Sequence, residues 1–240
     1  MMDGLYSAAA GLFAQQSRMD MLSNDIANVS TTGYKQERVG FRDLLYNDEG
    51  GVPIGAGSAV VDGGRDFSPG AFNQTGDPLS VAISGPGFFQ VRTADGKIAL
   101  TRSGDFKVDA DGSICTQSGQ RLVPPITIPK GDSPDDVSIS ASGLVKAKGT
   151  TIGKITVVDV PGESGLQSIG DSLFLPTAAS GAPRPVGKGT TLDQGYLESS
   201  NVDLGSAMTD VMDSERSYQL DSQMISTQDQ MMQIANQIRQ

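Results

Sequence analysis

The apolar residues near the end of the chain recur every seven positions. One such row is formed by Leu204, Val211, Tyr218, Ile225 and Met232. A second row beside it is formed by Met224, Met231 and Ile238. Neighbouring rows with this spacing make a wide apolar stripe on an α-helix. Because no Pro or Gly follows Gly205, the pattern predicts one uninterrupted helix, roughly 50 Å long at ~1.5 Å per residue.

The residues ahead of this stripe carry a helix start signal. Ser200 is a favoured N-cap residue, and Asp203 places a carboxylate three positions later. Both groups then lie near backbone N–H groups that have no partner within the helix. We therefore predict a C-terminal helix over residues 203–240, with Ser200 as its cap.

The N-terminal end of the chain repeats the seven-residue spacing. Its first row is formed by Leu5, Leu12, Met19 and Ile26, and most intermediate positions are filled by Ala8, Leu22 and Val29. Asp3 is suited to cap this helix, which should end near Ala27 or Asn28. Since both helices far exceed the ~11–12 residues of an average helix, each needs a long packing partner. The two ends are predicted to pair in a coiled-coil-like arrangement.

Polar residues interrupt both stripes. They are Gln15 in the N-terminal helix and Ser214, Asp221 and Gln228 in the C-terminal one. Such positions weaken an isolated two-helix coiled coil and favour contacts shared among many copies. The alternative is that both are ordinary amphipathic helices lying on the chain's own globular body.

The centre of the sequence has the alternation of β-strands. Residues 79–83 alternate apolar and polar side chains, and Gly85-Pro86-Gly87 then turns the chain into residues 88–91. Asp95-Gly96 and Asp111-Gly112 are hairpin turn signals. Short strands at this spacing predict an antiparallel β domain, sandwich or barrel-like, over residues 73–185.

These patterns together predict an α+β protein in which a β domain is inserted between two long helices. The predicted order is an N-terminal helix (1–30), an extended connector (31–72), the β domain (73–185), a return connector (186–202) and the C-terminal helix (203–240). Within the first connector, Val39, Phe41 and the run Leu44-Leu45-Tyr46 suit either a short helix or an extended piece.

Composition removes several classes of function. The net charge of −10 argues against nucleic-acid binding, which depends on Lys and Arg contacts to phosphates. The sequence has no His and one Cys, so it lacks the commonest general base and cannot form a multi-thiolate metal site. No apolar run reaches the ~18–20 residues of a membrane span. The N-terminus does not resemble a cleavable secretory signal, so any export is expected to use another route.

Weak matches to ligand-binding loops do not change this picture. Gly181 to Lys188 has one residue too many for a phosphate loop, and Gly189 stands where Ser or Thr should bind magnesium. Asp109 to Gly112 resembles part of a calcium loop, but Ser118 stands where the final Glu should be. We expect no enzyme activity, no cofactor, no metal and no small-molecule substrate.

Several long motifs of the chain together resemble those of one known protein family. Residues 23–35, SNDIANVSTTGYK, are similar to the signature after the family's first helix, with Asp25 where Asn is usual. Residues 79–91 and the TRSGDF segment at 101–106 resemble its strand and turn motifs. Residues 195–203, GYLESSNVD, and Glu215 to Tyr218 are similar to the start of its last helix. The family that these motifs resemble is the rod and hook proteins of the bacterial flagellum. The resemblance covers nearly the whole chain.

This resemblance implies a structural subunit that assembles with its own copies and with other flagellar rod and hook subunits into a helical tube. The tube would transmit torque and enclose an export channel in the basal body, within the cell envelope. Export would use the flagellum's own secretion apparatus. The helix contacts of this assembly, within or between subunits, are assigned to Leu5, Leu12, Met19, Leu22, Ile26, Asn28, Leu204, Val211, Tyr218, Ile225 and Met232.

Two interpretations stay open at this point. The length and the run Asp43 to Tyr46 resemble distal-rod members of the family, whereas Ala207 to Asp210 resembles proximal-rod members. A different class of function is a secreted binding module whose β domain recognises a cell-wall polymer.

Overall fold

A computed structural model describes residues 2–43, 47–49, 52–54, 57–129, 132–187 and 189–238. The chain forms two compact units. The helical unit contains Met1–Ala27, Glu37–Gly64 and Asp203–Gln240, and the β unit contains Asn28–Gln36 and Arg65–Val202. The predicted α+β class with a β domain is confirmed.

The helical unit is built on the two terminal helices. Helix α1 spans Met2–Ala27 and helix α2 spans Leu204–Ile238. The N-cap of α2 is Asp203, whose Oδ1 accepts a hydrogen bond from the Ser206 N–H at 2.8 Å. The prediction of Ser200 as the cap is therefore wrong. The Ser200 hydroxyl instead accepts from Val202 N–H at 3.2 Å, and Asp203 performs the capping three residues later.

Four short strands follow α1 in the region predicted as an extended connector. Strand β1 (Glu37–Asp43) pairs with β4 (Ser58–Arg65). Strand β2 (Asn47–Glu49) pairs antiparallel with β3 (Val52–Ile54). The run Leu44-Leu45-Tyr46 lies outside the described residues.

The β unit contains sixteen strands among its described residues. They are β5 (Phe72–Gln74), β6 (Val81–Ser84), β7 (Phe88–Arg92), β8 (Ile98–Thr101), β9 (Phe106–Val108), β10 (Ile114–Thr116), β11 (Arg121–Leu122), β12 (Val137–Ile139), β13 (Leu144–Ala147), β14 (Thr150–Lys154), β15 (Val157–Asp159), β16 (Gln167–Gly170), β17 (Leu173–Leu175), β18 (Arg184–Pro185), β19 (Thr191–Gln194) and β20 (Tyr196–Glu198).

The largest sheet of the β unit has nine strands. Its main path is β16-β17-β8-β7-β11-β10-β9, and β15 joins it by pairing with both β7 and β18. A three-stranded sheet, β12-β13-β14, and the pairs β6-β19 and β5-β20 complete the unit. The strand pairs are antiparallel, as the turn signals predicted.

The core of the β unit lies on both faces of β7. Successive side chains of a strand point to opposite faces, so Phe88 and Phe89 enter different clusters, and neither has exposed surface. Phe89 packs edge-to-face on Phe106 with 5.2 Å between ring centroids. Phe88 packs edge-to-face on Phe67 and Phe174 at 5.3 and 6.3 Å. A strand buried on both sides fixes the register of its neighbours.

Candidate assembly surface and buried ion cluster

Several small side chains of the two terminal helices are buried. Ala14 on α1 and Ala207 and Ser214 on α2 have almost no exposed surface. The Ser214 hydroxyl donates to the Asp210 carbonyl oxygen at 2.8 Å, so this buried polar group has a partner on its own helix. Small residues at a contact allow two helix backbones to approach closely.

Two contacts define the direction of the helix pair. Arg18 Nη2 lies 3.0 Å from Asp210 Oδ1. A Cβ atom added to Gly11 would lie 3.2 Å from Asp221 Oδ2. Because the later residue of α1 faces the earlier residue of α2, the helices run antiparallel.

The residues assigned to helix contacts differ in their burial. Leu22 is buried, whereas Leu12, Met19, Ile26, Asn28, Val211, Ile225 and Met232 are half-buried. Leu204 and Tyr218 are 41% and 37% exposed. The side chain of Leu5 lies outside the described residues. Asn28 belongs to the β unit. The assignment of these residues to an assembly interface stays a prediction.

The polar positions of the α2 stripe are part of its inner face. Ser214, Asp221 and Gln228 follow the fully buried Ala207 at intervals of seven. Ser214 is buried, and Asp221 and Gln228 are half-buried. These residues therefore form a heptad row of small and polar side chains. It lies beside the apolar row of Val211, Tyr218, Ile225 and Met232.

Large apolar side chains remain on the outside of both helices. On α1, Tyr6 and Phe13 are 73% and 77% exposed and lie seven residues apart. On α2 the exposed apolar residues include Met208, Met212, Leu220, Met224, Met231 and Ile234. Grouped exposed apolar side chains mark interaction surfaces more often than single ones do. These eight residues are called the outer apolar set below.

The β unit contains three buried charged side chains in contact. Lys35 Nζ lies 2.6 Å from Glu198 Oε1, and both side chains are fully buried. Arg102 Nη1 lies 3.6 Å from the other carboxylate oxygen of Glu198. Lys35 Nζ also donates to the Ser68 carbonyl oxygen at 2.7 Å, and Gly70 N–H donates to Glu198 Oε1 at 3.1 Å. We call Lys35, Arg102 and Glu198 the buried ion cluster.

Burial and pairing act in opposite directions on this cluster. Burial lowers the pKa of the Lys35 ammonium, while its hydrogen bond to the Glu198 carboxylate works to raise it. Burial also lowers the pKa of the Arg102 guanidinium, again opposed by Glu198. The carboxylate is thus what makes two buried cations tolerable.

Glycines allow the backbone to close around the cluster. Gly33 has φ +67°, and a Cβ there would lie 2.5 Å from the Ser103 nitrogen. A Cβ on Gly104 would overlap the Val81 carbonyl oxygen, and one on Gly70 would overlap that of Ser199. Asn201 adds a polar tie, since its Oδ1 accepts from Gln36 N–H at 2.8 Å and its Nδ2 donates to the Asp66 carbonyl oxygen at 2.8 Å.

The cluster unites three motifs that are far apart in sequence. Lys35 ends SNDIANVSTTGYK, Arg102 lies in TRSGDF and Glu198 lies in GYLESSNVD. The sequence motifs predicted the family resemblance but not the burial or the contact of these three residues. The available signal was weak, because an acid or a base next to apolar strand residues is usually on a solvated face.

The described residues offer little for other chemistry. They contain no group of three or more His, Cys, Asp or Glu side chains arranged to hold a metal ion. None of the helices in the described parts of the chain has a stretch long and apolar enough to cross a membrane.

Three family profiles match successive parts of the chain. Residues 5–35 match "Flagella basal body rod protein" and residues 82–147 match "Flagellar hook protein FlgE/F/G D1 domain". Residues 193–238 match "Flagellar basal body rod FlgEFG protein C-terminal". Each member of the buried ion cluster lies in a different matched segment.

Full-length relatives decide the family. The flagellar basal-body rod protein FlgG of Caulobacter vibrioides is 39% identical, with 99% of this chain and 100% of the relative covered. FlgG of Agrobacterium fabrum is 38% identical over 98% of each chain, and FlgG of Bacillus subtilis is 33% identical over 97% of each. The chain belongs to the flagellar basal-body rod family. Its predicted likeness to distal-rod members is confirmed by these FlgG relatives.

Proposed function

We propose that this rod-family chain is a structural axial subunit of the flagellar basal body and not an enzyme. It assembles with copies of itself and with other rod and hook subunits into a helical tube. Subunits related by head-to-tail contacts form open helical polymers of this kind. The full-length relatives, which are named as basal-body rod proteins, support this assignment. They offer no support for the alternative of a cell-wall binding module.

The outer apolar set carries the proposal. Phe13, Leu220 and Met224 are large apolar side chains of the helix pair, and each is more than half exposed. A chain that kept these side chains in water would forgo ~1.5–3 kcal/mol for each large apolar side chain it could bury. Neighbouring subunits supply the missing contacts.

In this proposal the paired helices form a coiled-coil-like inner layer around an export channel. The heptad rows that begin at Leu5 and Leu204 supply its seams, within or between subunits, and the β unit forms the outer part. The tube transmits torque within the cell envelope. The domain boundaries predicted at residues 30, 72, 185 and 202 belong to the same proposal.

Paired surface variants test the assignment. Phe13→Ser combined with Met224→Ser should leave the helical content of the monomer unchanged and prevent polymers in sedimentation and negative-stain microscopy. Gln230→Ser, which changes an exposed polar residue of α2, should polymerise like the parent chain. Normal tubes from the double variant would show that assembly does not depend on the outer apolar set.

A further inference from the structure

Two turns of the β unit enclose a cleft lined by two arginines. It has a volume of about 230 Å³ and lies between the turns that follow β7 and precede β11. Its lining includes Arg92, Thr93, Ser118, Gln120 and Arg121. Nothing in the assembly of the two helices uses this cleft.

Two arginines face each other across the strands that form the cleft. Arg92 of β7 and Arg121 of β11 are directly opposite partners in the antiparallel register. Like charges in such cross-strand positions are destabilising. An anion bound between the two guanidinium groups would offset this repulsion and stabilise the folded chain.

The two arginines differ in their other contacts. Arg121 Nη2 lies 2.8 Å from Asp111 Oδ2 and 3.6 Å from Asp109 Oδ2, so its charge is partly compensated. Within the described residues, the Arg92 guanidinium has no hydrogen bond or ion pair. The Ser118 hydroxyl at the rim adds a potential donor. The cleft thus offers an anion the Arg92 guanidinium, which has no counter-charge in the part of the chain that the structure describes, and the Ser118 hydroxyl.

We propose that this cleft binds a carboxylate, with the Arg92 guanidinium as its principal donor. Guanidinium groups bind carboxylates through two parallel hydrogen bonds. The source of the carboxylate is an acidic side chain of a neighbouring copy, which rests on the proposed function. A chain with 28 acidic and 18 basic residues presents many carboxylates to its neighbours, and an uncompensated arginine is a specific partner for one of them.

Titration of the monomer tests the binding site itself. Acetate added to the full chain should shift the amide NMR signals of Thr93 and Ser118 saturably in the parent chain. Arg92→Gln should abolish the shift, and Arg92→Lys, which keeps the charge but not the fork, should weaken it several-fold. Arg184→Gln, the same charge change elsewhere in the β unit, should behave like the parent. Equal shifts in Arg92→Gln, or a response to phosphate alone, would overturn the carboxylate site.

Thermal stability tests whether Arg92 has only a structural role, and polymerisation tests whether the carboxylate comes from a neighbouring copy. If Arg92 were simply structural, Arg92→Gln would lower the thermal midpoint of the free chain, and that result would count against the proposal. The expected midpoint is unchanged or higher. In polymerisation assays, Arg92→Gln should raise the critical concentration several-fold relative to Arg184→Gln. Equal critical concentrations would show that the carboxylate does not come from a neighbouring copy. Failure of the parent chain to polymerise would reject the proposed function while the acetate titration still decides the site.

Discussion

The ammonium of Lys35 lies 2.6 Å from a carboxylate oxygen of Glu198, and neither side chain has exposed surface. The pair joins two chain segments separated by 163 positions. Both residues lie close in sequence to the points where the chain passes between the β unit and the helical unit. The contact therefore holds together the parts of the β unit through which the chain enters and leaves.

Removing the carboxylate should destabilise the β unit strongly. Glu198→Ala leaves the Lys35 ammonium and the Arg102 guanidinium buried without their counter-charge, and breaking a buried pair in this way costs about 3–5 kcal/mol. Urea unfolding followed by tyrosine fluorescence should show this loss, because Tyr34 is buried in the β unit. The matched exposed pair is Lys148 with Asp132, 2.7 Å apart. Lys148→Ala should change stability far less, because exposed pairs contribute little, and similar losses in the two variants would contradict a special role for burial.

The backbone contact beside the cluster predicts a second sensitive position. Gly104→Ala would place a methyl group on the Val81 carbonyl oxygen, which belongs to the backbone of β6 and cannot rotate away. We expect a loss of about 3 kcal/mol or more, at the upper end of overpacking effects. Gly187→Ala is the control, since its Cβ would meet nothing within 4 Å. Thermal unfolding of both variants checks the difference, and a stable Gly104→Ala chain would show that β6 can shift.

The rate at which the Cys115 thiol is modified reports on the folding of the β unit. Its side chain is 2% exposed, and burial raises the pKa of its thiol, with the nearby Asp109 carboxylate adding to the effect. Both factors lower the amount of reactive thiolate. A thiol reagent near neutral pH should modify the folded chain slowly and the urea-unfolded chain at the rate of a free thiol. Rapid modification of the folded chain would show that β10 opens readily.

Local patterns predicted the helices well and the cap poorly. The seven-residue spacing needs only residues within one helix, which is why α1 and α2 follow from the sequence. Ser200 and Asp203 are both good cap residues, and their choice depends on where the preceding backbone of β20 and Asn201 is held. On α2 alone, Ser214 and Asp221 interrupt the apolar stripe. The burial of Ser214 and the approach of Asp221 to Gly11 of α1 arise only in the folded chain.

Nonlocal contacts explain what the sequence left undetermined in the β unit. Turn signals located β7 and β8, but not that β7 also pairs with β11 and β15. The ion cluster depends on that same arrangement, since Arg102 and Glu198 meet only after the sheet and the return strand are in place. Charged residues are mostly exposed in proteins, whereas Arg102 and Glu198 are only 2% and 0% exposed.

The cap of α2 predicts a modest and local effect. Asp203→Ala removes the acceptor of the Ser206 N–H, and loss of such a cap typically costs about 1 kcal/mol. Hydrogen exchange should show faster opening of the first turn of α2. Asp213→Ala, an exposed position within the same helix, serves as the control and should leave that turn unchanged. Equal protection of the first-turn amides in both variants would show that another residue caps α2.

The contact between the two helices predicts a size limit at Ser214. Its side chain has no exposed surface, and α1 approaches α2 closely enough for Gly11 to face Asp221. Ser214→Leu should therefore force the helices apart at a cost of about 1–3 kcal/mol, although leucine is the better helix former. Ser222→Leu places the same side chain on the exposed face of α2 and should not destabilise the monomer. Circular dichroism melts of both variants measure the difference. If Ser214→Leu were as stable as Ser222→Leu, the two helices would not be in close contact at this position.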